Sequence, residues 1–193
     1  MIRAYHVIWG TYGFWLPNDP RGSWSEFVAS WELLQHGKST AIVPREARSN
    51  EWTSWQAAAV KSLRHPAVVL TGVQARAIGV GFGNAVRRSE LIVLACSILP
   101  KHVHLVVGRH TFDVERVCIQ LKGEATKQLN REGLHPLATH ARDGKIPSLW
   151  QEGLWKVFLE DDANIQAAIN YVEQNPIKEG KRAQRWSFVT PFH

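Results

Sequence analysis

The stretch that decides the fold is residues 91–108, which read LIVLACSILPKHVHLVVG. The continuous apolar run over residues 91–98 is typical of a strand that is buried on both faces. Pro100 interrupts this run because proline has no backbone N–H to donate. Residues 102–108 then read as a second strand. We therefore predict two consecutive strands joined by a tight turn.

Strand and helix patterns alternate around this pair. Residues 3–10 are rich in aromatic and β-branched types and predict a first strand. Residues 71–88 and 113–131 have the spacing of apolar side chains that is typical of helices, and Asp113 is the expected N-cap of the second. The chain before the central strands is therefore expected to contribute one strand and one helix, and the chain after them another helix.

Two elements complete the chain. Residues 155–159 predict a short strand, and Asp161 or Asp162 is expected to cap a last helix. Because proline removes a helical hydrogen bond, we expect this helix to end near Asn175, before Pro176.

The predicted order is strand, helix, strand, strand, helix, strand and one extra helix. This is the ferredoxin-like α+β arrangement, in which two helices cover one face of an antiparallel sheet. The length favours a single domain over residues 1–193, with a Trp- and Arg-containing insertion at about 22–66. The last helix is then free to dock on the open sheet face, where a site can be built.

Composition narrows the class of partner. Lys and Arg outnumber Asp and Glu by 23 to 17, so the net charge of +6 favours a polyanionic partner. Cys96 and Cys118 lack metal or redox spacing and are expected to be core residues in a reducing compartment. Neither a signal peptide nor an apolar run of about 20 residues is present, so we expect a cytoplasmic protein without membrane contact.

His102 and His104 are the first candidate site residues. They lie two apart on a predicted strand, so both rings project from the face opposite Val103 and Leu105. Two imidazoles at this spacing can chelate one metal ion. With nine His in the chain, roughly 0.4 such pairs arise by chance, so from this pattern alone a pair of exposed strand histidines is the favoured interpretation.

Tyr171 and Asn175 lie on the last helix. The apolar stripe of that helix consists of Ile165, Ala168, Ile169 and Val172. Tyr171 lies about 110° from the centre of the stripe, and Asn175 follows one turn later on the same side. A docked helix can present both groups to the histidines, although an amphipathic helix with a tyrosine at the core edge explains the same pattern.

Three segments together resemble a known family. They are residues 99–107 (LPKHVHLVV), residues 168–180 (AINYVEQNPIKEG) and the opening residues 9–24 (WGTYGFWLPNDPRGSW). The chain is similar in them to the REP-associated tyrosine transposases, bacterial relatives of the single-tyrosine HUH transposases. It departs from the family pattern at Lys101, where Asp or Asn is common, and in the length of residues 22–66.

The resemblance implies a catalytic domain that nicks single-stranded DNA, often beside a hairpin. By the same resemblance, His102, His104 and Asn175 would hold Mg²⁺ or Mn²⁺, and Tyr171 would be the nucleophile. Attack by a tyrosine leaves a 5′-phosphotyrosine and a free 3′-OH, and a second 3′-OH can reverse the step. The expected partner is single-stranded or hairpin DNA, bound by a monomer or a homodimer.

Basic and aromatic residues supply candidate DNA contacts. Phosphate contacts are predicted at Lys122, Lys127, Arg131, Lys178 and Arg182. For any one of them, a solvated basic surface is the simpler interpretation. Stacking on unpaired bases is predicted for Trp15, Trp24, Trp52 and Trp55, and core packing for Trp9, Trp150 and Trp155.

Two other classes of protein remain open at this point. A non-catalytic single-stranded nucleic-acid-binding protein would keep the fold and the basic surface but would not need Tyr171. A metal hydrolase would use His102 and His104 without a covalent step. The hydrolase is the less favoured of the two because no Asp or Glu lies at an obvious ligand position near the histidine pair.

Overall fold

Four strands and three long helices make up the part of the chain that the computed structural model describes, residues 1–14 and 58–192. In chain order they are β1 (Ala4–Gly10), α1 (Gly72–Ser89), β2 (Val93–Ile98), β3 (His102–Gly108), α2 (Val114–Arg131), β4 (Trp155–Leu159) and α3 (Asp162–Lys178). A 3-10 turn at Ala138–His140 lies between α2 and β4. Residues 22–57 of the predicted insertion lie outside the described residues.

The sheet has the order β2-β3-β1-β4, and every neighbouring pair of strands is antiparallel. This order, with a helix after β1 and after β3, confirms the predicted ferredoxin-like α+β fold. The predicted N-caps are also confirmed, since Asp113 and Asp161 accept hydrogen bonds from backbone amides three residues on. Thr71 and Gln74 form a complete capping box at the start of α1.

The two faces of the sheet bury separate apolar clusters. One face packs beneath α1 and α2 and contributes Val103, Leu105 and Val107 of β3. The opposite face contributes Val106 of β3 and packs beneath the apolar stripe of α3. The last helix therefore covers the face that the two-helix layer leaves open, which places His102 and His104 under α3.

Helix α3 continues through Pro176 to Lys178, so the predicted end near Asn175 was wrong. Pro176 cannot donate the hydrogen bond that the Val172 carbonyl would receive in a regular helix. The Ser97 hydroxyl of β2 donates to this carbonyl instead. A bond from the sheet therefore satisfies the acceptor that the proline leaves open, and the helix extends one more turn over the site.

The C-terminal tail runs along the outer edge of β2. The Gln184 side chain receives the Ile98 N–H and donates to the Ile98 carbonyl, both at 2.8 Å. At the other end of the strand, Val189 forms a parallel bridge with Val93, and the Thr190 N–H donates to the Val93 carbonyl. The tail thus contacts both ends of this edge strand.

No helix in the described ranges is long and apolar enough to cross a membrane. The two cysteines, Cys96 and Cys118, are unpaired with each other and buried, as predicted for core residues.

Candidate active site

Three histidines lie together on the sheet face that α3 covers. His104 pairs with Ile8 across the β1–β3 ladder, and His6 pairs with Val106, so all these residues share one face. The ring centroids of His102 and His104 are 4.8 Å apart, and those of His6 and His104 are 5.5 Å apart. We call His6, His102 and His104 the histidine cluster.

His6 is the member that the sequence did not predict as a site residue. Its Nε2 lies 3.3 Å from Nδ1 of His104, so a single proton is shared between two buried rings. The period of two places His6 on one face of β1, but only the register between β1 and β3 shows that this face carries His104.

Tyr171 lies directly over the cluster. Its ring centroid is 5.7 Å from that of His104 and 5.6 Å from that of His6, with the rings edge to face in both pairs. Tyr171 is 45% exposed, so its side chain is accessible from solvent. Lys178, one of the predicted DNA contacts, places its Nζ 5.0 Å from the centre of the tyrosine ring. The structure therefore brings together a half-exposed tyrosine, a lysine ammonium group and two imidazoles.

Burial keeps the imidazoles beneath Tyr171 neutral. Burial, followed by the neighbouring His102 and His6, lowers the pKa of His104 to about 2. Burial also lowers the pKa of His6 to about 4. At neutral pH both rings carry nitrogen lone pairs, which can accept a hydrogen bond or bind a cation.

The groups that can hold a metal ion lie along α3 and β3. No three or more His, Cys, Asp or Glu side chains of residues 1–14 and 58–192 form a group that could bind one. The third ligand predicted from the sequence beside His102 and His104 is the Asn175 amide, which is not one of these residue types.

Asn175 has the placement that such a ligand needs. It is buried, and its Nδ2 has no hydrogen-bond partner among the described residues. On the same helix, Tyr171 contacts His104 one turn earlier, and Glu179 places its Oε1 3.7 Å from Nε2 of His102 one turn later. Since Asn175 lies one helical turn from each of these residues, helical spacing places it on the side of the histidine pair. Its amide oxygen and the two imidazoles are donors that fit a divalent ion.

A short turn after β1 supports the cluster from the side. The ring of Phe14 stacks on that of His102, with centroids 4.7 Å apart. The Thr11 hydroxyl and backbone N–H tie this turn to the carbonyls of Val68 and Lys101. A Cβ on Gly10 would lie 2.9 Å from the Phe14 ring, so only glycine leaves room for this stacking.

The other predicted DNA contacts lie in varied surroundings. The Nζ of Lys122 donates to the carbonyls of Gln151 and Gly153, and burial lowers its pKa. Lys127 pairs with Glu124, and Arg131 donates to Gln128. Arg182 follows the end of α3 and is exposed. Of the predicted set, Lys178 is the residue in contact with Tyr171.

The tryptophans divide between core and site. Trp9 and Trp150 are buried in the core beneath α1 and α2, as predicted. Trp155 instead lies on the α3 side of the sheet, and its ring meets that of His6 edge to face at 5.8 Å. Trp15, Trp24, Trp52 and Trp55 lie outside the described residues.

The fold and the site together define a ferredoxin-like domain with a tyrosine above a histidine cluster. Among solved structures, the chain is similar to a REP-associated tyrosine transposase bound to a REP hairpin, at 12% identity and a TM-score of 0.47, covering 92% of this chain and 68% of that one. It is also similar to a protein from Deinococcus radiodurans R1 described as a candidate transposase, at 15% identity and a TM-score of 0.45, covering 95% of each chain.

No protein-family model matches the chain, and no curated protein matches it. At these identities and TM-scores, the function must be argued from the site itself.

Proposed function

We propose that the protein is a metal-dependent endonuclease and strand transferase that acts on single-stranded DNA beside hairpins, as transposases do. The observation that carries this proposal is the position of Tyr171, half-exposed above the buried, neutral rings of His104 and His6. A tyrosine in a structural role alone does not need two imidazoles beneath it. A tyrosine that attacks a phosphodiester does need a means of stabilising negative charge, and neutral imidazoles can hold a cation that would supply it.

The reaction proceeds in two balanced steps. The Tyr171 oxygen attacks the scissile phosphorus, a tyrosine–phosphorus bond forms, and the bond from phosphorus to the 3′-oxygen breaks. The phenolic proton passes to solvent water, and the departing 3′-oxygen takes a proton from water and leaves as a hydroxyl. In the second step another 3′-OH attacks the 5′-phosphotyrosine, the bond between phosphorus and the tyrosine oxygen breaks, the proton of the attacking hydroxyl passes to water, and the tyrosine oxygen takes a proton from water.

The chain's own residues hold the reactants in place. Lys178, 5.0 Å from the tyrosine ring, lies where the charge of a bound phosphate can be neutralised. Phe14 fixes the plane of His102, and Ser97 holds α3 against the sheet. These contacts keep Tyr171 in one orientation, which matters because attack on a phosphate requires alignment of nucleophile and leaving group.

His102, His104 and Asn175 are the residues that would hold a divalent ion. Bound there, Mg²⁺ or Mn²⁺ would polarise the scissile phosphate and stabilise the charge that develops on it. Imidazole ligands suit transition metals better than Mg²⁺, which prefers oxygen, so we expect tighter binding of Mn²⁺.

Covalent trapping tests the proposal. The protein is incubated with labelled hairpin-bearing single-stranded DNA and Mn²⁺, and adducts are resolved on a denaturing gel. We expect an adduct with the wild-type protein, none with Tyr171→Phe, and none after chelation until Mn²⁺ is restored. Tyr5→Phe is the matched control, because Tyr5 lies on the opposite sheet face and contacts Phe158.

The outcomes separate the classes of function. Salt-sensitive binding without an adduct, unchanged in Tyr171→Phe and in chelator, would identify a non-catalytic nucleic-acid-binding protein. Cleavage without an adduct that survives Tyr171→Phe would identify a metal hydrolase. Either result would overturn the proposal.

A further inference from the structure

A second group of positive charges lies away from the histidine cluster. A cavity of about 270 Å³ is lined by Arg64, His65, His140, Arg142 and Lys145, together with Ile146 and Pro147. We call it the basic cavity. None of its five polar lining residues was predicted to contact DNA. The nearby acidic residue Asp143 is not part of its lining.

A tight turn holds two of these cations side by side. Arg142 and Lys145 exchange backbone hydrogen bonds of 3.0 and 2.9 Å. Asp143 and Gly144 between them have φ values of 49° and 73°, the left-handed backbone that an Asp-Gly hairpin turn requires. Residues that face each other in this way project to the same side, so the turn forces two like charges together.

This arrangement costs free energy unless an anion is bound. Like charges directly opposite each other are destabilising, and neither Arg142 nor Lys145 forms an ion pair with any residue of the described ranges. Burial lowers the pKa of His65, and the nearby positive charges of His140, Arg64 and Arg142 lower it further. A bound anion relieves all of these repulsions at once.

The basic cavity is connected to the candidate active site through the turn after β1. The ring of Tyr12 lies 5.9 Å from that of His65, and the ring of His65 lies 5.6 Å from that of His140. Phe14, two residues after Tyr12, stacks on His102. Because two residues span at most about 7 Å, the cavity and the histidine cluster lie at the two sides of one short turn.

We propose that the basic cavity binds backbone phosphates of the DNA strand whose scissile phosphate lies at Tyr171. The proposal rests on the proposed function for the identity of the strand. Its physical basis is independent of the tyrosine chemistry, because clustered Arg and Lys side chains bind phosphodiesters by charge and release counterions. The cavity then fixes how the strand enters the site, and Tyr171 determines where it is cut.

The salt dependence of DNA binding tests this proposal. Binding of a labelled single-stranded oligonucleotide is measured by fluorescence anisotropy over a range of KCl concentrations. For Arg142→Ala with Lys145→Ala, the slope of log K against log [salt] should fall by about 1.4, the value expected when two phosphate contacts on a single strand are lost. The affinity at low salt should fall about tenfold or more.

Two control variants distinguish the loss of the basic cavity from a general loss of positive charge. The double variant Arg109→Ala with Arg116→Ala also removes two positive charges, from the chain that follows the C-terminal end of β3. Its salt slope should stay near that of the wild type. The swap Arg142→Lys with Lys145→Arg keeps the charge and should retain binding. An Arg142/Lys145 alanine variant with the slope and affinity of the Arg109/Arg116 variant would overturn the proposal.

Inorganic phosphate distinguishes a strand site from a site for free anions. The ring resonances of His65 and His140 should shift with the oligonucleotide at concentrations where phosphate alone leaves them unchanged. Equal shifts with phosphate alone would overturn the assignment to a DNA strand.

The trapping assay distinguishes a failure of this proposal from a failure of the proposed function. In the Arg142/Lys145 alanine variant, the DNA concentration that gives half of the maximal adduct should rise, whereas Tyr171→Phe should keep the wild-type salt slope and form no adduct. If no protein forms an adduct, the proposed function fails while the salt slopes still decide whether the cavity binds the strand.

Discussion

The contact between His6 and His104 determines which nitrogen of His104 can bind a cation. Their Nε2 and Nδ1 atoms, 3.3 Å apart, share one proton. If the proton belongs to Nδ1 of His104, the ring donates to His6 and keeps the lone pair on its own Nε2. A partner that receives the second ring N–H of a metal-binding histidine is a recurring feature of metal sites. We propose on this basis that His6 is a positioning residue for a cation bound at His104.

Replacing His6 should weaken metal binding without removing a ligand. We expect His6→Phe to raise the Kd for Mn²⁺ by about 10- to 100-fold, the range found when such second partners are lost. Isothermal titration calorimetry measures the affinity, and ¹⁵N NMR of the metal-free protein should show His104 protonated at Nδ1. His110→Phe, at a surface loop, serves as the control. An unchanged Kd together with an Nε2-protonated His104 would remove this role from His6.

At the scale of elements, the position of Tyr171 depends on how α3 is fixed to the sheet. Pro176 removes one hydrogen bond from the helix, and Ser97 of β2 supplies a replacement to the Val172 carbonyl. Ser97 pairs with His104 across the β2–β3 ladder, so the bond ties the tyrosine helix to the strand beside the histidines. The proline thus creates an acceptor that joins helix to sheet within the site.

A double-mutant cycle tests this exchange of hydrogen bonds. Ser97→Ala leaves the Val172 carbonyl buried without a donor and should lower the free energy of unfolding by about 1–3 kcal/mol. Pro176→Ala restores a backbone N–H that can donate to the same carbonyl, so Ser97→Ala should cost less in that background. Urea denaturation of the four proteins gives the coupling energy. Strictly additive effects would show that the two residues do not share this acceptor.

The buried histidines also affect the stability of the whole molecule. His6 and His104 stay neutral in the folded protein, with pKa values lowered to about 4 and about 2, whereas an unfolded chain protonates histidine near 6.5. The unfolded state therefore binds more protons below this pH. The stability contribution is complete above pH 6.5 and is lost as the pH falls toward 4 for His6 and toward 2 for His104.

Metal-free protein should accordingly become less stable between pH 6.5 and pH 4. Each buried histidine contributes a slope of up to about 1.4 kcal/mol per pH unit in this window. His6→Gln should lower the number of protons taken up on unfolding by about one, which reduces the slope of the free energy of unfolding against pH. This reduction does not depend on how the substitution changes stability at neutral pH. The groups around His6 and His104, namely His102, Tyr171 and Glu179, remain in both proteins. Equal slopes in denaturation series from pH 7.5 to 4.5 would contradict neutral burial of His6.

The order of the elements could be predicted from sequence because apolar spacing, capping residues and prolines are local signals. The pairing of Tyr171 with His104 could also be anticipated, since each lies on a recognisable face of its own element. The partnership of His6 with His104 depends on the register between strands nearly one hundred residues apart. The continuation of α3 through Pro176 depends on a hydroxyl from another strand. Contacts between residues far apart in sequence do not affect the local spacing of apolar residues, so they could not be predicted from it.

The tail along β2 has a consequence for behaviour in concentrated solution. An exposed edge strand offers unpaired amides and carbonyls on which a neighbouring chain can add its own strand, and such additions begin aggregation. Here Gln184 occupies both backbone groups of Ile98, and Thr190 occupies the Val93 carbonyl at the opposite end. A foreign strand therefore cannot form a ladder along the full length of β2. Residues 184–190 therefore protect β2 against the addition of a strand from a neighbouring molecule, and their removal should make the protein prone to precipitate.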